Sequence, residues 1–260
     1  MDLGLGGKVA IVTGGAKGIG ASIVEGFVKE GASVVIADSD VDAAQQLAEK
    51  LRRNGAKVLV VRADVTKKSD ADNLIATTLN EFGVIDILVN NAGVVSDINF
   101  VDLEESEWDR ICDVNIKGVY LITRAVVPHM MSSRYGKIIN LSSLAGKRGN
   151  IGLAHYCASK FAVIGITQSL AKELGQYNIN VNAVCPGIVG TAMWDTLLDA
   201  RSRRQNLSRE QIWEVWMEQT PLKRPQTPED MANVVLFLSS EISRNITGEA
   251  ISVNGGLYMD

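Results

Sequence analysis

Histidine is almost missing from this chain. Its 260 residues include two, His129 and His155, too few for a His-rich metal site. Cysteine is scarce and odd in number. Cys112, Cys157 and Cys185 form no Cys-x-x-Cys pair, which argues against a disulfide framework or a zinc ribbon. Reduced thiols and a cytoplasmic location are the expectation. A basic surplus is also lacking. Twenty-six Lys and Arg stand against 30 Asp and Glu, with a pI near 5.4, whereas a nucleic-acid binder needs a positive excess. No apolar stretch approaches the roughly 20 residues of a membrane span, and Asp2 stands where a signal peptide wants positive charge. The expectation is a soluble protein with no nucleic acid and no membrane as partner. No His-Glu-x-x-His or Gly-x-Ser-x-Gly occurs, so the common zinc-protease and serine-hydrolase motifs are absent.

What is present is a globular chain with 46% hydrophobic and 22% charged residues. A chain of this length buries about 70–75% of its unfolded surface and needs no covalent staple. Short runs of Val and Ile alternate with amphipathic stretches. The runs at 9–12, 34–37, 58–61, 87–89, 137–141, 180–184 and 250–253 read as strands. The stretches at 18–30, 41–53, 68–82, 105–132 and 154–177 carry helical spacing. Strands without polar alternation are buried on both faces, as in parallel sheets. The expectation is an α/β fold: a doubly wound, Rossmann-type parallel sheet of about seven strands, with helices on both faces. Residues 1–260 read as a single domain. The segment 191–221 breaks the alternation and holds Trp194, Trp213 and Trp216 with Arg201, Arg203, Arg204 and Arg209. That arginine cluster could receive an acyl carrier protein or a phosphate, or simply form a solvated helix face. At the ligand edge of such a sheet the segment reads as a small helical lid. A peripheral helix pair burying its Trp is the plainer alternative.

After the first strand the chain reads Thr13-Gly14-Gly15-Ala16-Lys17-Gly18-Ile19-Gly20. A glycine-rich turn between strand and helix lets backbone approach a pyrophosphate, and the helix N-terminus offers free N–H groups. The spacing differs from Gly-x-Gly-x-x-Gly. It is no P-loop, because Ala21 stands where the phosphate-binding Lys must be. Asp38 ends the second strand, where a carboxylate accepts hydrogen bonds from an adenosine ribose and repels a 2′-phosphate. Asp64, with Val65 beside it, follows the third strand, positioned for an adenine or as a simple turn cap.

Tyr156 and Lys160 lie one helical turn apart and share a face. A phenol is a poor base at neutral pH. A neighbouring ammonium favours the phenolate, so the pair could move a proton on and off an alcohol oxygen while hydride leaves its carbon. Ser142 and Ser143 end the preceding strand, within reach of that oxygen.

Together these residues resemble the short-chain dehydrogenase/reductase family over nearly the whole chain. Thr13-Gly14-x-x-x-Gly18-x-Gly20 matches its cofactor turn, and Asn90-Asn91-Ala92-Gly93 its second signature. Asn115, Ser143, Tyr156 and Lys160 match its catalytic tetrad. Pro186-Gly187 and Gly255-Gly256 complete the pattern. The resemblance implies that Tyr156 is the general acid/base and that Lys160 lowers its pKa and holds the nicotinamide ribose. Ser143 orients the substrate oxygen, and Asn115 fixes a water that links Lys160 to solvent. Gly14, Lys17, Gly18 and Ile19 line the diphosphate. Asn90, Ala92 and Gly93 pack near the adenosine. Thr191 and the Ile188 backbone meet the carboxamide. It also implies a homotetramer or homodimer, paired through the helices at about 105–132 and 154–177.

The expected substrate is a small secondary alcohol or ketone, possible contacts being Ser143, Ala145, Asn150, His155, Gly187, Met193 and Trp194. The residues after Pro186-Gly187 look like those of sugar-alcohol and acetoin-type members, and the C-terminal stretch like that of 3-oxoacyl carrier-protein reductases. Asp38 favours NAD, hence oxidation of a secondary alcohol, a polyol or sugar alcohol among the options. The alternatives are an NADPH-dependent 3-oxoacyl carrier-protein reductase and, in another class, an NAD-binding sensor or scaffold without turnover. No metal is called for.

Overall fold

A computed structural model describes residues 2–259. Its strands are β1 (Val9–Thr13), β2 (Ser33–Asp38), β3 (Val58–Arg62), β4 (Ile87–Asn90), β5 (Gly136–Leu141), β6 (Ile179–Pro186) and β7 (Ala250–Val253). They form one parallel sheet in the order β3-β2-β1-β4-β5-β6-β7. Side chains alternate between its faces, as the two-residue strand period requires. Ala10, Val12, Val34, Ile36, Ile87 and Val89 join one core. Ile11, Val35, Ala37 and Leu88 join the other. Both faces are therefore apolar, which is why the strands show no polar alternation.

Helices α1 (Gly18–Lys29) and α2 (Val41–Arg52) cover the first face, through Ile23, Val24, Phe27, Ala44 and Leu51. Helices α3 (Lys68–Phe82), α5 (Gly118–Ser133) and α6 (Ala154–Leu174) cover the second, through Leu74, Ile75, Ile122, Val126 and Leu174. The expected long helix from residue 105 is not uniform. It starts as α4 (Glu105–Cys112), passes through a π-helical stretch at Asp113–Lys117, and continues as α5. Such a stretch widens the helix by one residue and often marks functional sites. Here it carries Asn115, which is fully buried. Close packing follows at once: a Cβ on Gly118 would lie 2.8 Å from Val65 Cγ2.

Segment 191–221 contains α7 (Ala192–Gln205) and α8 (Arg209–Gln219). The sequence reading missed one more helix, α9 (Pro228–Ser239). Its signal is present in Thr227-Pro228-Glu229-Asp230: Pro at the first helical position, and a capping box between Thr227 and Asp230. Helix α9 packs on α1 so tightly that a Cβ on Gly26 would lie 2.9 Å from Leu236 Cδ1.

β1 sits between β2 and β4, so the chain order reverses beside it. A crevice opens there at the carboxyl ends of the strands, the usual ligand position in such sheets. No helix among the described residues is long and apolar enough to cross a membrane.

Candidate active site

The glycine turn leaves β1 at Thr13. Gly14 has φ +60°, and a Cβ there would lie 2.9 Å from Ala92 Cα; on Gly20 it would lie 2.0 Å from the Gly14 carbonyl oxygen. Only glycine allows these approaches. Lys17 caps α1 without a side-chain hydrogen bond, so the first N–H groups of the helix have no side-chain acceptor there. Asp38 holds the turn from below. Its Oδ2 accepts from the Ala16 N–H at 3.0 Å and its Oδ1 from the Asp40 N–H at 2.9 Å. Lys17 is ion-paired to Asp40 at 2.6 Å, and that bond raises the Lys17 pKa.

The second group of residues stands beyond the ends of β4 and β5. Ser143 accepts from the Ala145 N–H at 3.1 Å, and its hydroxyl stands close enough to the Tyr156 phenol to favour the phenolate. Burial pushes that phenol up to about 12, with Ser143 pulling the other way. Lys160 is buried, its Nζ 5.7 Å from the centre of the Tyr156 ring, and it donates to the Leu141 carbonyl at 2.8 Å. Burial lowers its pKa to about 8. Without a ligand, desolvation outweighs the expected stabilisation of the phenolate by Lys160, and Tyr156 stays protonated at neutral pH. Asn115 clamps the loop after β4: its Oδ1 accepts from the Val94 N–H, and its Nδ2 donates to the Val94 carbonyl, both at 2.9 Å. Nδ2 also donates to Ser159 at 3.0 Å, tying that loop to α6.

One cavity of about 330 Å³ joins the two groups. It runs from Gly14, Lys17, Gly18 and Ile19, past Ala92 and Gly93, to Ser143, Tyr156 and Lys160. Its far wall includes Ala145, Asn150, Gly187, Thr191, Met193 and Trp194. Trp194 packs edge-on against Trp216, with ring centres 5.1 Å apart.

Comparison with known proteins agrees with this arrangement. Residues 8–202 match the family described as short chain dehydrogenase. The chain belongs to the short-chain dehydrogenase family. Among its relatives is a 3-oxoacyl-[acyl-carrier-protein] reductase FabG of Staphylococcus epidermidis, 39% identical over 97% of this chain and 99% of that one. The protein of the same name from Thermotoga maritima is 40% identical over 97% and 98% of the two chains. That from Aquifex aeolicus is 38% identical over 99% and 100%. The solved structure of gox2181 superposes with a TM-score of 0.89 at 32% identity, covering 97% of this chain and 96% of that chain.

A short-chain dehydrogenase is an oxidoreductase that binds a nicotinamide cofactor, and the glycine cradle fits one. The backbone is bare where a diphosphate would lie, the α1 N-terminus faces it, and the cavity continues to Tyr156.

Several expected contacts stand elsewhere. Asn90 turns into the protein, donating to Thr123 and Asn140, and its neighbour Asn91 lines the cavity. Strand alternation puts adjacent side chains on opposite sides, so the Asn90 side chain faces the interior. Ile188 has both backbone groups engaged by Gln226: its N–H donates to Oε1 at 2.8 Å, and its carbonyl accepts from the Gln226 N–H at 2.8 Å. Val189 lines the cavity in its place. His155 is fully buried against Ser96, 2.7 Å away, and is not part of the cavity wall. Asp64 caps its own turn, accepting from the Thr66 N–H and hydroxyl. Val65 packs against Gly118, so neither residue reaches the main cavity. Leu197 and Trp216 also line it and were not singled out as contacts, and Arg201 of the arginine cluster lines it too. The spacing of Trp194, Leu197 and Arg201 along one helix face was the available signal.

Proposed function

We propose that this short-chain dehydrogenase interconverts a secondary alcohol and its ketone with NAD(H). The observation that carries the reaction class is the placing of Ser143, Tyr156 and Lys160 at one end of a cavity whose other end is the glycine cradle. Ser143 and Tyr156 hold the substrate oxygen by hydrogen bonds. In reduction the phenol gives its proton to the ketone oxygen and becomes a phenolate, and in oxidation that phenolate takes the alcohol proton back. A pKa near 12 keeps that proton in place at neutral pH, ready for donation. The Lys160 ammonium stabilises negative charge on the phenol oxygen. Asn115 positions this lysine by locking the 91–94 loop to α6. The bound nicotinamide supplies or accepts the hydride.

Two observations support NAD over NADP. The Asp38 carboxylate is held at the turn by two N–H donors, and the residues that follow it, Ser39 and Asp40, supply no Arg. Lys17, the cation of the glycine turn, is already paired with Asp40.

A second reading, reduction of a 3-oxoacyl group with NADPH, is favoured by the names of the relatives at 38–40% identity. The same residues would perform the same proton transfer. A panel of secondary alcohols, polyols and a 3-oxoacyl thioester, each with both cofactors, separates the readings. Turnover of the thioester alone, with NADPH preferred, would establish the second.

We also assign 191–221 as a lid and α4–α6 as the pairing surface of a homo-oligomer. The exposed Trp108, Tyr120 and Phe161 support that surface.

A further inference from the structure

The cavity wall contains Lys17, Lys160 and Arg201 but no Asp or Glu among the described residues. Lys17 stands at the glycine turn and Lys160 beside Tyr156. Arg201 is left, on the wall formed by α7, with no part in the reaction described above.

Its surroundings are built. Trp194, Leu197 and Arg201 share one face of α7, and Leu197 packs beside Tyr156. Arg201 lies one turn further on, 4% exposed, its guanidinium carbon 4.4 Å from the centre of the Trp216 ring. Asp97, whose side chain is fully buried, is its ion-pair partner, but Asp97 serves two arginines. Its Oδ2 accepts from Arg201 Nε at 3.0 Å, and Arg204 donates to Oδ1 at 2.8 Å and to Oδ2 at 3.2 Å. Two guanidinium groups on one carboxylate leave an excess of one positive charge. Of the Arg201 nitrogens, only Nε makes a protein hydrogen bond among the described residues. The terminal nitrogens, Nη1 and Nη2, keep all their donors. On the same wall the buried indole N–H of Trp194 also has no acceptor. An uncompensated charge beside unused donors, at low exposure, costs free energy unless an anion completes it.

We propose that Arg201 is an anion subsite. The substrate is then a secondary alcohol or ketone that also carries a carboxylate or phosphate, a class that rests on the hydride-transfer reading above. The anion lies against the Nη groups one helical turn from Leu197, and the reacting carbon lies at Tyr156.

Matched pairs isolate the charge. A 3-oxo acid and its neutral methyl ester share a reacting ketone, as do dihydroxyacetone phosphate and dihydroxyacetone. The native chain should prefer the anionic member of at least one pair by about tenfold or more in kcat/KM, the scale of a charged hydrogen bond. The pair that responds tells carboxylate from phosphate. Arg201→Gln should shrink that ratio at least about tenfold. Arg203→Gln removes the same charge from an exposed position of α7 and should keep it. Equal or better use of the neutral member in both pairs overturns the subsite, and this is read in the native chain before any variant is made. Binding is read separately from Trp fluorescence, because Trp194 and Trp216 form the wall. Butyrate and glycerol 1-phosphate are titrated against butyramide and glycerol. An Arg201-dependent response to an anion without turnover of any ketone would retain the subsite and reject the hydride-transfer reading. Identical responses to charged and neutral probes would reject the subsite.

Discussion

At Tyr156 a single oxygen atom separates an enzyme from a binding protein. Tyr156→Phe keeps the ring and removes the proton. Its kcat should fall at least about 100-fold, the low end for a general acid/base, while cofactor binding stays near wild type. Wild-type turnover in the variant would end the assignment of Tyr156 as the proton donor, whereas no turnover by the native chain with either cofactor would favour a sensor or scaffold. Lys160 pays for its role in stability. Burial lowers its pKa from 10.5 to about 8, so below pH 8 the folded state holds a proton at a cost. Between about 8 and 10.5 the unfolded chain binds that proton more readily than the folded one, and this lysine's contribution to stability therefore rises with pH. Lys160→Met should remove that dependence. It should also stabilise the ligand-free protein at pH 7 by about 1–3 kcal/mol, net of the lost Leu141 hydrogen bond, while abolishing turnover. Urea unfolding at pH 7 and pH 9.5 checks both points. Destabilisation at pH 7 would show that the hydrogen bond outweighs the buried charge.

Helices α7 and α8 join the fold through a Trp cluster and meet the loop after β4 through the Asp97 ion pairs. As a lid, 193–219 should exchange amide hydrogens readily in the free protein and gain protection when cofactor and substrate bind. High protection without ligand would make it a fixed wall. Strand positions were legible in the sequence because both faces of the sheet are apolar, which leaves short unbroken runs of Val and Ile, and most helices because their 3.6-residue period stands out between those runs. The glycine turn and Tyr156–Lys160 were legible because a close backbone approach and a shared helix face follow from spacing alone. Other features were not. The choice between Asn90 and Asn91 depends on which residue of β4 faces outward, and one residue of register reverses it. His155 immediately precedes Tyr156 on α6 and points elsewhere, towards Ser96. Gln226 reaches Ile188 from a segment remote in sequence, a contact that no local pattern encodes. Helix α9 was readable from its cap. Thr227→Ala should cost about 1 kcal/mol, because the side chain satisfies the Asp230 N–H; a loss near zero in denaturant titration would mean that packing on α1 alone holds the start of that helix.

Across the whole molecule, sheet order creates the site. With β1 between β2 and β4, the glycine turn, braced by Asp38, gathers with Ser143, Tyr156 and Lys160 at one edge of the sheet. The turn serves either nicotinamide cofactor, so the choice between them falls to the end of β2. In the NAD reading proposed above, Asp38 would act twice there, rewarding a free ribose hydroxyl and repelling a phosphate. Asp40 neutralises Lys17 and adds to the repulsion. The central claim is an NAD-dependent exchange of hydride between cofactor and secondary alcohol or ketone. Its most direct test is the ratio of kcat/KM for NAD over NADP, measured on any alcohol that the native chain oxidises. The account predicts a ratio of about ten or more, a difference of roughly 1.4 kcal/mol or more in transition-state stabilisation. A ratio below one would contradict it and favour the NADPH-dependent 3-oxoacyl reductase.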